Sequence, residues 1–278
     1  MNKIDILRDQ LENTDSVLIG AGAGLSEAAG LTYSGERFEK HFSDFIEKYG
    51  LTDMYSGGFH EFEDEEERWA DWSRYIMTNR FLDSENGVYK QLYELIKDKD
   101  YFIITTNVDH CFQKAGFDKN RLFYTQGDFG LFQCSEPCHS KTYDNEEIIT
   151  KMYSSQKDMK IPSELIPRCP VCSKPMKMNL RADDSFVQDE GWYAALKRYN
   201  DYVSAHTLKK MLLLELGVGM NTPGIIKYPF WRMADEFPNT RYICVNTEFP
   251  YLPPEIREQS TLINADIKDV LNELSQHR

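Results

Sequence analysis

The sequence predicts an α/β fold, a Rossmann-like and largely parallel sheet interrupted by a small inserted module. Three observations predict it. Short apolar runs of strand length alternate with helical stretches, as in a parallel sheet covered on both faces. The first run stops at the glycine-rich turn Gly20-Ala21-Gly22-Ala23-Gly24 and leads into a helical segment. Four cysteines fall in two close pairs, Cys134/Cys138 and Cys169/Cys172, inside a segment whose composition differs from the rest.

The apolar run 16–19 reads as the first strand, and Ser26-Glu27-Ala28-Ala29 as the start of the helix that follows it. Residues 61–82 carry Trp69, Trp72, Tyr75 and Ile76 along one helical stripe, a core-packing pattern. Further strands are expected at 101–105, 122–125, 211–216, 242–246 and 261–263. The chain then closes on a terminal helix over 266–274, capped by Asp266, with Ile267, Val270, Leu271 and Leu274 facing inward. The segment 132–178 is rich in Lys, Ser, Pro and Cys, so we expect 1–131 and 179–278 to form the main domain and 132–178 a metal-binding module within a smaller helical domain. If exposed, Tyr143, Ile148, Ile149 and Met152 form a docking stripe in that segment; otherwise they pack against the cysteine module.

With 45 acidic against 32 basic residues, the net charge of −13 repels a phosphate backbone, which makes nucleic acid a poor partner. The opening Met1-Asn2-Lys3-Ile4-Asp5 lacks the pattern of a signal peptide, and no apolar run approaches the ~20 residues of a membrane span. We therefore expect a cytoplasmic protein without a membrane partner. In a reducing compartment paired cysteines favour metal thiolates over disulfides. A set of four closes a tetrahedral shell and leaves no position for water, the pattern of a structural zinc ion; free or redox-active thiols are the alternative. His139, next to Cys138, is a competing ligand only if a thiolate is missing and otherwise reads as a surface residue, and Cys111 and Cys244 read as buried, inert thiols.

A glycine turn between strand and helix lets a pyrophosphate approach backbone amides near the positive end of a helix, which suggests a dinucleotide. The motif is not a full dinucleotide fingerprint. Leu25 stands where a third glycine is sought, and no acidic residue ends a second strand about 20 residues on, so a dehydrogenase is disfavoured. A purely structural turn is the competing reading. The run Thr105-Thr106-Asn107-Val108-Asp109 follows a strand, which puts Asn107 and Asp109 at the carboxyl edge of the sheet, as ligand-binding groups or as caps.

Taken in order, Gly22-Ala23-Gly24-Leu25-Ser26-Glu27-Ala28-Ala29-Gly30-Leu31, Thr106-Asn107-Val108-Asp109, the paired cysteines, Gly217-Val218-Gly219 and Val245-Asn246-Thr247-Glu248 resemble the sirtuin family over nearly the whole chain. The resemblance implies NAD as co-substrate and a structural Zn2+. It gives NAD-binding roles to Ala21, Gly22, Gly24 and Ser26, to Asn107 and Asp109, and to Gly217, Gly219, Asn221, Asn246 and Glu248. Asp266 matches the last adenine-contacting loop less closely.

Two departures redirect the expected chemistry. Where the family's deacylases carry a histidine general base, Tyr124-Thr125-Gln126-Gly127 places Gln126, whose neutral amide orients a ribose but cannot take its proton. Where they carry Pro-x-Phe-Arg, this chain has Thr32-Tyr33-Ser34-Gly35, so Tyr33 or Phe38 is left to cover the nicotinamide. These departures resemble the bacterial class M sirtuins, which transfer ADP-ribose to a protein. The resemblance implies catalytic roles for Asn107, Gln126 and Asp109. It also implies a lipoylated carrier protein resembling the glycine-cleavage H protein as acceptor, and a macrodomain hydrolase as the reversing partner. An NAD glycohydrolase, a deacylase or a silent NAD- or ADP-ribose-binding module are the alternatives.

Overall fold

In a computed structural model the described residues are 2–82, 87–248 and 251–276. Among them are nine strands: β1 (Ser16–Ala21), β2 (Asp100–Thr105), β3 (Leu122–Tyr124), β4 (Gly127–Cys134), β5 (Tyr143–Asp144), β6 (Met176–Leu180), β7 (Met211–Leu216), β8 (Thr240–Asn246) and β9 (Ser260–Asn264). The chain divides into two compact units, Met1–Gly30, Glu85–Gln126 and Gly191–Arg278 forming the first and Leu31–Ser84 and Gly127–Glu190 the second. The cysteine segment 132–178 lies within the second unit, together with residues 31–84.

The first unit holds a six-stranded sheet in the order β3-β2-β1-β7-β8-β9, every neighbouring pair parallel. All six strands expected from the apolar runs are present. They are buried on both faces because alternate residues serve different layers. Leu213, Tyr242 and Cys244 pack with Phe230 and Ile226 on one side. On the other, Leu214, Leu216 and Val245 meet Leu7, Leu92, Val270 and Leu274. The terminal helix Ile267–Ser275 forms as expected, with Asp266 accepting from the Lys268 amide as its cap and Ile267, Val270, Leu271 and Leu274 buried. The helix after β1 departs from expectation. It starts at Ala23, three residues before Ser26, and ends at Ala28, because Gly22 takes the N-cap conformation.

In the second unit β4 pairs antiparallel with β5 and β6. The stripe of residues 61–82 becomes the helix Glu65–Ile76, followed by a wider turn over Met77–Phe81, with Trp69, Tyr75 and Ile76 buried. Ile149 and Met152 are fully buried on the helix Glu146–Ser155, which packs on Glu65–Ile76, so these two are packed inside, while Tyr143 and Ile148 stay half-buried. The spacing of the buried pair serves a helix–helix contact. Phe38 is buried and stacked on Phe42, which leaves only Tyr33 half-exposed in that region.

One buried group in this unit conflicts with its surroundings. The Asp71 carboxylate is 1% exposed and neither oxygen has a hydrogen-bond partner among the described residues. Burial pushes its carboxyl up to about 7, against the pull of Arg74. The unfolded chain ionises Asp71 near pH 4, whereas the folded chain keeps the proton until about pH 7. Stability therefore falls as pH rises through that window and stays low above it, a loss of roughly 4 kcal/mol at full effect. Asp71→Asn is expected to raise the melting temperature by several degrees at pH 8 and to give little or no gain at pH 4.5. An equal shift at both pH values in a thermal melt would show that ionisation is not the cause.

Candidate active site and cysteine centre

The carboxyl ends of the central strands are level, since Ala21 pairs with both Thr105 and Leu216, Leu216 with Val245, and Thr105 with Tyr124. The chain turns to one side of β1 through β2 and β3 and to the other through β7, β8 and β9. The edge above β1 and β7 is thus a topological switch point, where open α/β sheets hold ligands.

Two glycine turns meet there back to back. A Cβ on Gly22 would lie 2.7 Å from the Gly217 carbonyl oxygen, one on Gly24 2.8 Å from the Gly217 Cα, and one on Gly217 2.6 Å from the Leu25 nitrogen. Gly217 also has φ +62°, in the left-handed region. The amides of Gly22 and Gly24 donate to the carbonyls of Leu216 and Gly217, both at 3.0 Å. Glycine at 22 and 24 is therefore required for close approach of the two turns, and these two amides are spent inside the protein. Gly219 is open, with no atom within 4 Å of an added Cβ, and Asn221 is exposed beside it.

At the end of β2 four side chains form an oriented chain. The Ser26 hydroxyl donates to Asp109 Oδ2 at 2.5 Å and lies 2.9 Å from the Tyr89 hydroxyl, while Asn107 Nδ2 donates to Tyr89 at 3.3 Å and to the Gly22 carbonyl at 2.9 Å. An ionised carboxylate only accepts, so Ser26 gives its proton to Asp109, Tyr89 gives its own to Ser26, and Asn107 donates to Tyr89. The second Asp109 oxygen accepts from the Cys111 amide at 2.9 Å. Asp109 and Ser26 are buried, and burial together with the nearby Asp109 charge raises the Tyr89 hydroxyl far above its usual range, which keeps it a neutral donor. With its nitrogen thus occupied, Asn107 is left with Oδ1, an acceptor that no described residue uses.

Gln126 stands two residues beyond β3, as Asn107 stands two residues beyond β2, and these strands are neighbours. The intervening Thr125 is locked by its amide and hydroxyl on the Thr105 carbonyl, at 2.9 and 3.1 Å, and its own carbonyl accepts from Trp192 at 3.0 Å. The Gln126 side chain is half-buried and has no partner among the described residues. Along the other half of the edge, Asn246 donates to the Val218 carbonyl at 3.2 Å and accepts from the Glu248 amide, which ties β8 to the turn after β7. Glu248 and Asp266 are exposed. Tyr33 belongs to the second unit, where its ring meets Tyr75 edge-on at 5.7 Å and the Arg37 guanidinium holds the neighbouring Thr32 carbonyl at 2.8 Å.

Composition and spacing did not point to Tyr89. It lies on the helix Gly87–Ile96, and it reaches Ser26 across 63 positions. A helical tyrosine reads as core, and nothing local marks its hydroxyl.

In the second unit Cys134, Cys138, Cys169 and Cys172 come together with all four sulfurs within 4.8 Å of one another. Cys134 and Cys172 are 3.6 Å apart and Cys138 and Cys169 3.7 Å. A tetrahedron of ~2.3 Å zinc–sulfur bonds has edges of about 3.8 Å, so the donor set fits a structural zinc ion. Burial acts to raise the Cys169 thiol, yet the amides of Cys172 and Val171 and the ring of His139 outweigh it and hold it down at about 6. His139 is accordingly not a plain surface residue. Its Nε2 lies 3.4 Å from the Cys169 sulfur and 3.2 Å from the Tyr143 hydroxyl. Cys111 and Cys244 are buried as expected. Because Phe132 in β4 packs on Trp69 at 5.1 Å, loss of the metal should loosen the adjoining core. Strong chelation, or Cys169→Ser, is expected to remove about one zinc per chain and to lower the melting temperature together with a change in tryptophan emission. Full metal content and an unchanged melt in Cys169→Ser would overturn this.

Residues 22–182 match the model of the Sir2 family. The chain belongs to the Sir2 family. A Staphylococcus aureus relative, named "Protein ADP-ribosyltransferase", is 41% identical over 96% of this chain and 85% of its own length. A Fusarium oxysporum f. sp. cubense protein named "Probable bifunctional ADP-ribose hydrolase/ADP-ribosyltransferase" is 33% identical over 81% of this chain, which spans 39% of that longer protein. Among solved structures, one described as Sir2 with a p53 peptide and NAD+ superposes with a TM-score of 0.58 at 18% identity, covering 99% of this chain and 98% of that one. At that identity the likeness establishes the sirtuin fold. The protein is thus a Sir2 family enzyme, with a Rossmann-like six-stranded sheet and a four-cysteine cluster fit for zinc. No helix of the described residues is long and apolar enough to cross a membrane.

Proposed function

We propose that this Sir2 enzyme is an NAD-dependent protein ADP-ribosyltransferase of the cytoplasm. The observation that carries the reading is Gln126, a side chain without a hydrogen-bond partner among the described residues, at the sheet edge beside Asn107. Its amide donates to or accepts from ribose hydroxyls but takes no proton near neutral pH, so the step that a deacylase needs lacks its base. The names of the Staphylococcus and Fusarium relatives support the same reaction.

In this reading Ala21, Gly22, Gly24 and Ser26 hold the phosphate turn, and Gly217, Gly219, Asn221, Asn246, Glu248 and Asp266 line the adenosine half. Asn107 presents Oδ1 to the nicotinamide ribose, and Gln126 orients that ribose. The bond between C1′ and the nicotinamide nitrogen breaks, and nicotinamide leaves with the electron pair. A nucleophile of the acceptor protein then bonds to C1′ and releases its proton to water. Positive charge builds on the ribose in between, and the buried Asp109 carboxylate stabilises it while holding Ser26 in place.

The acceptor we favour is a lipoylated carrier protein resembling the glycine-cleavage H protein, with a macrodomain hydrolase removing the mark. The Fusarium relative, whose name joins a hydrolase to the transferase, supports such a pairing. Intact-mass spectrometry of the carrier, with and without its lipoyl group, tests the reading. Addition of one ADP-ribose by the wild type is expected, with strong loss for Asn107→Ala and Gln126→Ala. Equal labelling by all three proteins would sink the residue roles, and nicotinamide release without labelling would make the enzyme a glycohydrolase.

A further inference from the structure

Lys227 is the first residue of the helix Lys227–Glu236, and both it and Glu215 of β7 are fully buried, with exposures of 1% or less. Two local rules are broken at once. A cation at a helix N-terminus faces the positive end of the macrodipole, and a lysine in an apolar core loses its hydration. Ile226, the N-cap, offers no side-chain hydrogen bond either. Tyr242 and Cys244, which contact Glu215, belong to an apolar cluster with Leu213, Ile226 and Phe230.

Among the described residues Lys227 is held there by one hydrogen-bond partner. Its ammonium donates to Glu215 Oε1 and lies 6.0 Å from the Trp231 ring. Glu215 in turn accepts from the Tyr242 hydroxyl at 2.8 Å through Oε2 and from the Cys244 thiol at 3.4 Å through Oε1. The carboxylate is therefore saturated by three donors from β8 and the helix, and a satisfied network of this kind is rigid. An apolar pair of the same volume often serves stability as well or better, so stability is weak ground for the pair.

Its place is stronger ground. Glu215 pairs with Gly20 in β1 and precedes Gly217 by two residues, while Lys227 ends the segment 217–226. That segment carries Gly219 and Asn221, both exposed, and is fastened at its start by Gly24 on Gly217 and by Asn246 on Val218. We propose that the Glu215–Lys227 pair is the second fastening, which fixes the length and path of this loop over the sheet edge and so positions it for the adenosine half of NAD. The inference rests on the NAD-binding reading above. Local sequence rules fail most often where a site demands it.

The test uses Glu215→Leu/Lys227→Met, which replaces both charges with apolar groups of similar length. Thermal melts, calorimetric titration with ADP-ribose, and nicotinamide-release kinetics are measured on this variant and the wild type. We expect a melting temperature within a few degrees of wild type, tenfold or greater loss of ADP-ribose affinity with a parallel rise in KM for NAD, and kcat within about twofold. Unchanged affinity in the folded double variant shows that the pair only fills the core and overturns the inference. Should that variant not fold, Glu215→Gln decides. It keeps the volume and weakens the pair, so a threefold or greater affinity loss supports the inference and an unchanged affinity overturns it. A wild type that binds neither ADP-ribose nor NAD would refute the NAD reading itself, which separates the two failures.

Discussion

Asn107→Ala is expected to lower the rate of nicotinamide release by about 10²–10³-fold, the range set by losing one preorganised polar group where charge develops. The structure gives the reason for so large an effect. Asn107 is not a freely rotating amide, since its nitrogen is shared between the Gly22 carbonyl at 2.9 Å and the Tyr89 hydroxyl at 3.3 Å. Its oxygen is consequently fixed as the acceptor, with no reorganisation needed when the ribose arrives. Tyr89→Phe removes the hydroxyl that donates to Ser26 and leaves Asn107 with only the Gly22 contact. We expect a smaller loss, about tenfold, mainly in kcat, with the fold intact because the ring still packs on Phe112 at 4.9 Å. Asn107→Asp should be as damaging as alanine, because a carboxylate cannot donate to either partner and adds a like charge near Asp109. Single-turnover release of nicotinamide measures all three, and a full rate for Tyr89→Phe would show that the chain of hydroxyls is only packing.

Gly217→Ala is the second large effect, and here the loss is of the fold as well as of the ligand. A methyl at this position meets the Gly24 Cα and carbonyl carbon and the Leu25 nitrogen, each at 2.6 Å, all of them backbone. The residue also has φ +62°, where an L-side chain costs about 1–2 kcal/mol. Overpacking against backbone adds roughly 1–3 kcal/mol, so a destabilisation of about 2–5 kcal/mol is expected, with loss of NAD binding as the turns separate. Gly219→Ala, two residues on, meets nothing within 4 Å and should melt like the wild type. A denaturant titration of the two variants separates these expectations; equal midpoints would show that the glycine–glycine contact is not what the site depends on.

Residue spacing alone was enough to read the six parallel strands, the stripe from Trp69 to Ile76 and the terminal helix with its Asp266 cap. Each of these is a local pattern, in which an apolar period and a capping residue lie within one element. The cysteine pairs were legible for the same reason, since four thiols at close spacing have few other uses in a reducing compartment. The placement of Asn107 and Asp109 at the sheet edge follows from the end of one strand, and the strand register agrees with it, whereas Gln126 stands out only through the family resemblance.

Tertiary structure decided what local pattern cannot carry. Ser26, Tyr89, Asn107 and Asp109 are joined across as many as 83 positions, and only the packing of their helices and strands makes a hydroxyl chain of them. The spacing of Ile149 and Met152 fits either a docking face or inward packing, and the fold decides for packing under a helix. His139 looked like a surface residue until the fold brought the second cysteine pair against its ring. Gly22 and Gly24 were read as room for a phosphate, and the fold shows that the space is first taken by Gly217. Hydrogen bonds and close backbone contacts form between segments distant in the chain, so no periodicity records them. The glycine turn was plain from the sequence; which of its amides remain for a ligand was settled by the strand that came to lie beside it.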